Sequence, residues 1–241
     1  MVTAMVTGGV VAAQPGSIES SGRGEADRLY ADRLTLASAR RAAELWGAAL
    51  QRDGRDFEVA WKLSRVDYWL GGHAPEAERR RFLEAGVEAG SAAVSVAPDR
   101  PEGHFWLAAN MGAIAESYGM RAGMKYRKPI KEELETVLRI DPSFMQGSAD
   151  RALGRWYSKV PTLMGGNRKL AEEHLRASLK YSPHSTVSHV FLAELLVADR
   201  RNAEARAELE AALAAPFDAE WDPENQQYKA TARALLDKLK R

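Results

Sequence analysis

The chain has 241 residues, 45% of them hydrophobic, and 34 basic against 33 acidic side chains leave a formal charge of +1. That near-balance excludes the strong basic excess of a dedicated nucleic-acid binder. With no cysteine, a disulfide framework, a thiolate metal site and a cysteine nucleophile are excluded as well.

Met1 to Pro15 is short, apolar and ends in small residues, as an export signal does, but no Lys or Arg precedes the apolar part. It reads either as such a signal or as a disordered start. Gln14 to Gly24 (QPGSIESSGRG) is Gly/Ser-rich and reads as a loose tether in both cases. Residues 1–24 are therefore expected to be a tail or weak signal-like segment, and residues 25–241 a single domain. Nowhere does an apolar run approach the roughly 20 residues that cross a bilayer, so no membrane span is expected.

Ala, Leu, Arg and Glu dominate, while Val, Ile and Thr runs at period two are missing, so the fold is expected to be all-α. The first helical pattern begins near Glu25 and runs through Leu29, Leu36, Ala43 and Trp46 to Leu50, closed by Asp53-Gly54. A second runs from Asp56 to Leu70 and is closed by Gly71-Gly72. A third starts after Pro75 and reaches Ala97. Pro98-Asp99-Arg100-Pro101 is a break. The next helix spans Glu102 to about Gly119, and its partner about Lys128 to Ile140. Asp141-Pro142, Ser182-Pro183 and Asp222-Pro223 then each read as an N-cap followed by Pro at the first helical position. The same start signal after successive apolar helices is a repeat signature.

That signature has a type. Leu153, Gly154 and Tyr157 occupy the large, small and large packing positions of the first helix of a tetratricopeptide repeat. Ala171, Leu175, Ser178 and Pro183 match the small, large, small and stop positions of the second helix, where small residues let two helices approach. The last unit, with Leu192, Ala193, Leu196, Ala205, Leu209, Ala212 and Pro216, keeps the standard period of about 34 residues. The unit from Leu153 to Pro183 is longer by about half a dozen, fitting an enlarged loop at Pro161 to Asn167, and those from Leu107 to Pro142 and Leu63 to Pro98 by roughly ten. The expected architecture is an irregular tetratricopeptide-like α-solenoid of helix pairs at about 56–97, 102–140, 143–182 and 184–215. An amphipathic helix at about 223–241 caps it.

Two stretches, Trp106 to Gly119 (WLAANMGAIAESYG) and Ala152 to Pro183, resemble the T-component proteins associated with tripartite ATP-independent periplasmic transporters. They are also similar to the regulator-of-microtubule-dynamics proteins. The shared features are the helix ending in Tyr-Gly, the segment Ile130 to Phe144 (IKEELETVLRIDPSF) and Leu-Gly-Arg-Trp-Tyr, and the resemblance covers roughly Asp56 to Arg241. The bacterial resemblance implies an exported solenoid that pairs with a periplasmic solute-binding protein and assembles as a ring-like homo-oligomer. The chain departs from that pattern in lacking a lipoprotein cysteine and a strong signal. The eukaryotic resemblance implies microtubule association.

Catalytic motifs are missing. The five histidines, His73, His104, His174, His184 and His189, show no zinc-ligand spacing, and the Gly-Gly pairs lack the Lys-Ser/Thr of a phosphate loop. No cofactor or metal is expected, and the histidines read as structural or surface residues. The expectation is a non-enzymatic scaffold, exported or periplasmic, that takes a partner protein or an acidic ligand on its concave face. The alternatives are a cytoplasmic adaptor for an extended peptide, unrelated to transport, and a hydrolase whose site carries no motif.

In a repeat stack the first helix of each pair lines the concave face. Taking the leucines as register, the facing positions are Glu58, Trp61, Arg65, Tyr68 and Trp69, then Phe105, Ala109 and Gly112, then Arg151, Arg155 and Lys159, and finally Glu194. Arg and Lys at four-residue spacing form a ridge suited to a carboxylate. The competing reading makes Trp61 and Trp69 core residues and the cations solvated.

Overall fold

The computed structural model describes residues 24–219 and 221–239, and among them every regular element is helical, with no strand. The signal-like segment and all of the tether but Gly24 lie outside the described residues. The elements are α1 (24–31), α2 (Leu36–Arg52), α3 (Phe57–His73), α4 (Glu76–Val96), α5 (Pro101–Ser117) and α6 (Gly119–Ile140). There follow α7 (Phe144–Lys159), a 3-10 turn at Thr162–Met164, α8 (Arg168–Tyr181), α9 (Thr186–Ala198), α10 (Asn202–Ala214) and α11 (Asp222–Leu239). None of the described helices is long and apolar enough to cross a membrane.

The helices pack in two rows. Each of α3, α5, α7 and α9 packs on the helix that follows it, and consecutive members of this row also touch one another and then α11. The even-numbered helices α4, α6, α8 and α10 form the outer row, each wedged between its own partner and the next inner helix. Such a stack is a tetratricopeptide-type α-solenoid. Its interior falls into an N-terminal cluster around Trp46, Val66 and Leu70, a central one around Leu107, Leu134 and Leu153, and a C-terminal one around Leu175, Leu192 and Leu209.

Small residues set the spacing. A Cβ on Gly154 would lie 2.5 Å from Leu175 Cγ and 3.0 Å from the Ala171 carbonyl, so α7 and α8 close only because that side chain is absent. At Gly90 a Cβ would meet Leu107 Cα at 2.9 Å, which brings α4 against the backbone of α5. Nearby, the Asn110 amide donates to the Ser64 carbonyl and to the Trp106 carbonyl, both at 2.9 Å, and Ser64 Oγ donates to Gly86 O at 2.7 Å. This buried network stitches α3, α4 and α5 together.

Several helix limits differ from the sequence reading. The first helical pattern is broken at residues 32–35 into α1 and α2. Gly71 and Gly72 do not stop α3, which runs on to His73: Gly71 makes room for Leu83, and the His73 ring stacks on Trp69 with centroids 3.6 Å apart. Helix α6 continues through Pro129 back to Gly119, held by Ile130, Leu134 and Val137 in the core. Ser182 is not a cap. The α9 N-cap is Ser185, whose side chain accepts from the Ser188 amide. Asp141 binds the Ser143 amide at 2.8 Å in a turn, and Met145, Gln146 and Gly147 are left-handed, so the regular part of α7 starts only after Gly147.

Two histidines recur in equivalent places. His104 on α5 reaches the Pro98 carbonyl with Nε2 at 2.9 Å and Glu133 of α6 with Nδ1. His189 on α9 reaches the Pro183 carbonyl at 2.9 Å and Glu208 of α10 at 2.6 Å. Carbonyl and carboxylate oxygens only accept, so both ring nitrogens must donate and the imidazolium form fits best. Accordingly the hydrogen bond to Glu133 raises the His104 pKa against the opposing effect of burial. For His189 burial works to lower it, but Glu208 and the Pro183 carbonyl prevail and it is raised. Each histidine clamps an inner helix to its outer partner and to the preceding turn.

Candidate functional site on the concave face

The inner row turns a mixed aromatic and charged surface away from the core. Tyr68 of α3 is 37% exposed, its ring 5.8 Å from Trp106 of α5. One turn of α7 separates Arg151 from Arg155, and another separates Arg155 from Lys159. Arg155 is gripped from both sides. Its Nε and Nη2 donate to Glu116 of α5 at 3.0 Å, its Nη1 to Glu194 of α9, and its guanidinium carbon lies 4.5 Å from the centre of the Phe191 ring. Burial works against its charge, but the hydrogen bonds and charges of Glu116 and Glu194 outweigh it and hold the pKa above its ordinary value. Lys159 stands 3.6 Å from the same Glu194.

Helix α11 extends the inner row and reaches back across it. Tyr228 packs edge-on against Phe191, with ring centroids 5.6 Å apart. One turn earlier, Glu224 receives three hydrogen bonds of 2.8 to 3.2 Å from Arg33, in the turn between α1 and α2. Arg33 is only 6% exposed. The first and last parts of the described chain thus meet, and α11 bounds the concave face as well as capping the stack.

Tyr68, Arg151 and Tyr228 act on one another electrostatically. Burial lowers the Arg151 pKa, with the two phenols opposing it. Burial also raises the pKa of both tyrosines, so the phenols stay neutral donors. Among the described residues no group of three or more His, Asp or Glu side chains is arranged to hold a metal.

The expected groove residues divide. Tyr68, Arg151, Arg155, Lys159 and Glu194 come together as described. Trp61 and Arg65 lie further toward the N-terminal end: Arg65 sits over the Tyr30 ring at 3.9 Å and the Trp61 ring at 4.9 Å, and Trp61 Nε1 donates to Glu58 at 3.1 Å. Two placements are corrected. Trp69 is 4% exposed in the N-terminal core, where its indole N–H donates to the Arg33 carbonyl at 3.0 Å. Phe105 is 8% exposed and packs edge-on against Phe144 and Trp106. One helical position is a 100° rotation, so Trp69, next to Tyr68, falls on a different face, whereas Phe105 joins Trp106 in the central core. Sequence reasoning missed Arg33, Glu116, Glu224 and Tyr228. None of the four carries a local signal, because each meets its partner from a distant part of the chain.

A second concavity of about 360 Å³ lies between α2, α3 and α4, lined by Arg40, Ala43, Leu63, Asp67, Arg81 and Phe82 among others. Asp67, 3% exposed, has no hydrogen-bond partner among the described residues. Burial pushes its carboxyl up to about 8, with Arg81 pulling the other way.

The chain is similar in structure to a thermophilic tetratricopeptide-repeat protein of Thermus thermophilus, with a TM-score of 0.66, 23% identity, and 90% of this chain and 99% of that one covered. It is also similar to pilF of Pseudomonas aeruginosa (TM-score 0.57, 14% identity, 92% and 93% covered) and to the MamA protein (0.54, 14%, 90% and 96%). At these identities the likeness shows the fold alone. No curated protein matches the chain. The family profile described as regulator of microtubule dynamics protein 1-3 matches residues 24–177, from α1 to the middle of α8, and by that match the chain belongs to the regulator of microtubule dynamics protein 1-3 family.

Proposed function

We propose that the protein is a non-enzymatic interaction and assembly scaffold that takes a partner protein or an acidic ligand on its concave face. The observation that carries this is the character of the inner row. A surface that served only to pack the stack would be apolar, whereas this one presents the exposed Tyr68 ring and the cluster of Arg155, Lys159, Glu116 and Glu194. Aromatic rings and an arginine in a recessed position are the groups that anchor partners most strongly. Within that reading, the resemblance of Trp106–Gly119 and Ala152–Pro183 to T-component proteins supports an accessory role in solute uptake, with a solute-binding protein as partner.

The test is photo-crosslinking in the native cell, with a crosslinking residue at Tyr68 and, separately, at Glu173 on the outer helix α8. Partners captured from position 68 and not from 173 support the concave-face scaffold, and a solute-binding protein among them supports the uptake role. An extended segment of an unrelated protein captured there favours the peptide-adaptor reading instead. Identical captures from both positions refute the concave-face assignment.

A further inference from the structure

The cleft between α2, α3 and α4 encloses about 360 Å³, and of the residues that line it Asp67 alone is buried, which puts its carboxyl at the inner end. Asp67 makes no hydrogen bond or ion pair with any described residue. Neither of its carboxyl oxygens is sealed off, so the 3% of its surface that remains includes the carboxyl, open to the cleft. The other charged groups that face it are engaged elsewhere. Arg40 of α2 is held by Glu78 of α4 through two hydrogen bonds of 2.7 and 2.9 Å, and Glu44 of α2 accepts from Arg41 at 2.9 Å. Arg81 of α4 stands 3.8 Å from the same Glu78 and over the Phe82 ring, with its side chain 74% exposed at the rim. Between rim and carboxyl the walls are apolar, with Ala43, Leu63, Phe82 and Ala85. A buried carboxyl without a partner costs stability, and the fold carries this one with open space in front of it.

We infer that this cleft is a receptor for a primary ammonium on a short apolar stem, with Asp67 as its counter-ion. The stem belongs either to a free amine or to a lysine side chain of a partner. Asp67 lies about 100° round α3 from Tyr68, so the site is separate from the concave face and independent of what binds there. An ammonium brings three N–H donors and the charge that the carboxylate lacks. The apolar walls suit the stem, and the volume is in the range of small-molecule sites. In the empty cleft burial pushes the Asp67 carboxyl up to about 8, with Arg81 pulling the other way. Entry of the ammonium displaces the carboxyl proton, so one cation replaces another and the total charge of the cleft is unchanged. A second positive group on the ligand would meet Arg40 and Arg81 at the rim, which selects a monoamine over a diamine. A carboxylate head group would instead set two carboxyls against each other at the inner end.

The experiment is a calorimetric titration of the full chain at pH 6, 7 and 8, in buffers of differing ionisation enthalpy. The probes are butylamine, 1,4-diaminobutane, 1-butanol, butyrate and acetyl-lysine methylamide. The expected result is saturable binding of butylamine and of the lysine derivative, at least about tenfold weaker binding of the diamine, and none of the alcohol or the acid. The lysine derivative binding at least about tenfold tighter than butylamine identifies a partner side chain as the source, and comparable or weaker binding identifies a free amine. Because Asp67 gives up its proton, binding below pH 8 should release about one proton and weaken about tenfold per pH unit. Backbone resonances report that the variants are folded. Asp67→Asn should weaken binding by more than about tenfold, since the amide keeps the shape and loses the charge. Gly47→Leu, placed where an added Cβ meets nothing within 4 Å, fills the cleft without touching the acid and should weaken binding severalfold. Absence of saturation with either monoamine, butanol or diamine binding as tightly as butylamine, affinity independent of pH, or undiminished binding in either variant each overturns the inference. Crosslinking from position 68 is untouched by any of these results, so the concave-face scaffold stands or falls separately.

Discussion

Replacing Asp67 by Asn should make the protein more stable, and increasingly so as pH rises. Asp67 lies on α3, 3% exposed, where burial pushes its carboxyl from 3.8 to about 8. Between those values the folded protein holds a proton that the unfolded chain has released. Folding therefore takes up a proton across the whole interval, and stability falls as pH rises through it. Each pH unit is worth about 1.4 kcal/mol, so the full interval has an upper limit of about 6 kcal/mol at pH 8. Rotation of the exposed Arg81 side chain toward the carboxylate and entry of water into the cleft reduce the realised loss to roughly 2–4 kcal/mol. Asn has nearly the same shape and no charge to titrate. Urea unfolding of parent and variant should be followed at half-unit steps from pH 4.5 to 9, and the difference taken so that groups common to both cancel. It should widen with pH up to about 8 and level off above. A difference that stays constant, or that narrows with rising pH, refutes the argument that Asp67 is buried without compensation.

The histidine clamps have the opposite sense. His104 and His189 are raised above 6.5, so their contribution is complete below that pH and is lost as pH rises through the folded value. His104→Gln should cost about 1 kcal/mol near pH 5.5 and progressively less toward pH 9, as read from thermal melts. Glu224→Gln weakens the bonds to the deeply buried Arg33 and should cost roughly 1–3 kcal/mol, with amide exchange accelerating in α11 before the central helices. Gly90→Ala should destabilise by about 1–3 kcal/mol, because the new methyl meets the α5 backbone at 2.9 Å. Gly47→Ala, with nothing within 4 Å of the added carbon, should stabilise α2 by about 0.5–1 kcal/mol in the same denaturation assay.

Local physics is well represented in the linear order. The break at Pro98–Pro101, the stop after Ile140 and the small positions Gly154 and Ala171 announce themselves through residue type, because proline ends a helix and a missing side chain admits a neighbour wherever it occurs. The leucine register also puts Tyr68, Arg151, Arg155 and Glu194 on one side of the inner row. It fails at Trp69, one position round from the exposed Tyr68, and at Phe105, which is buried with Trp106 and Leu107 because α5 is packed on several sides. At Ser182 the capping pattern points three positions early, because the serine that bonds the free amide is Ser185. Pro129 misleads in the other direction, since core contacts of Ile130 and Leu134 hold α6 continuous across it.

By itself, then, the sequence determined that this protein is a stack of paired helices, roughly where each pair turns, and which faces carry aromatic and basic side chains. All of these follow from periods and propensities that act over a few residues. The tertiary structure alone decided how the charges pair. Arg33 meets Glu224 across 191 positions, and Arg155 lies between Glu116 and Glu194, each 39 positions away. Such separations leave no trace in local pattern, since a glutamate that neutralises a distant arginine looks, along the chain, like any solvated glutamate. Only when the inner helices lie side by side and α11 folds back toward the α1–α2 turn do these pairs form.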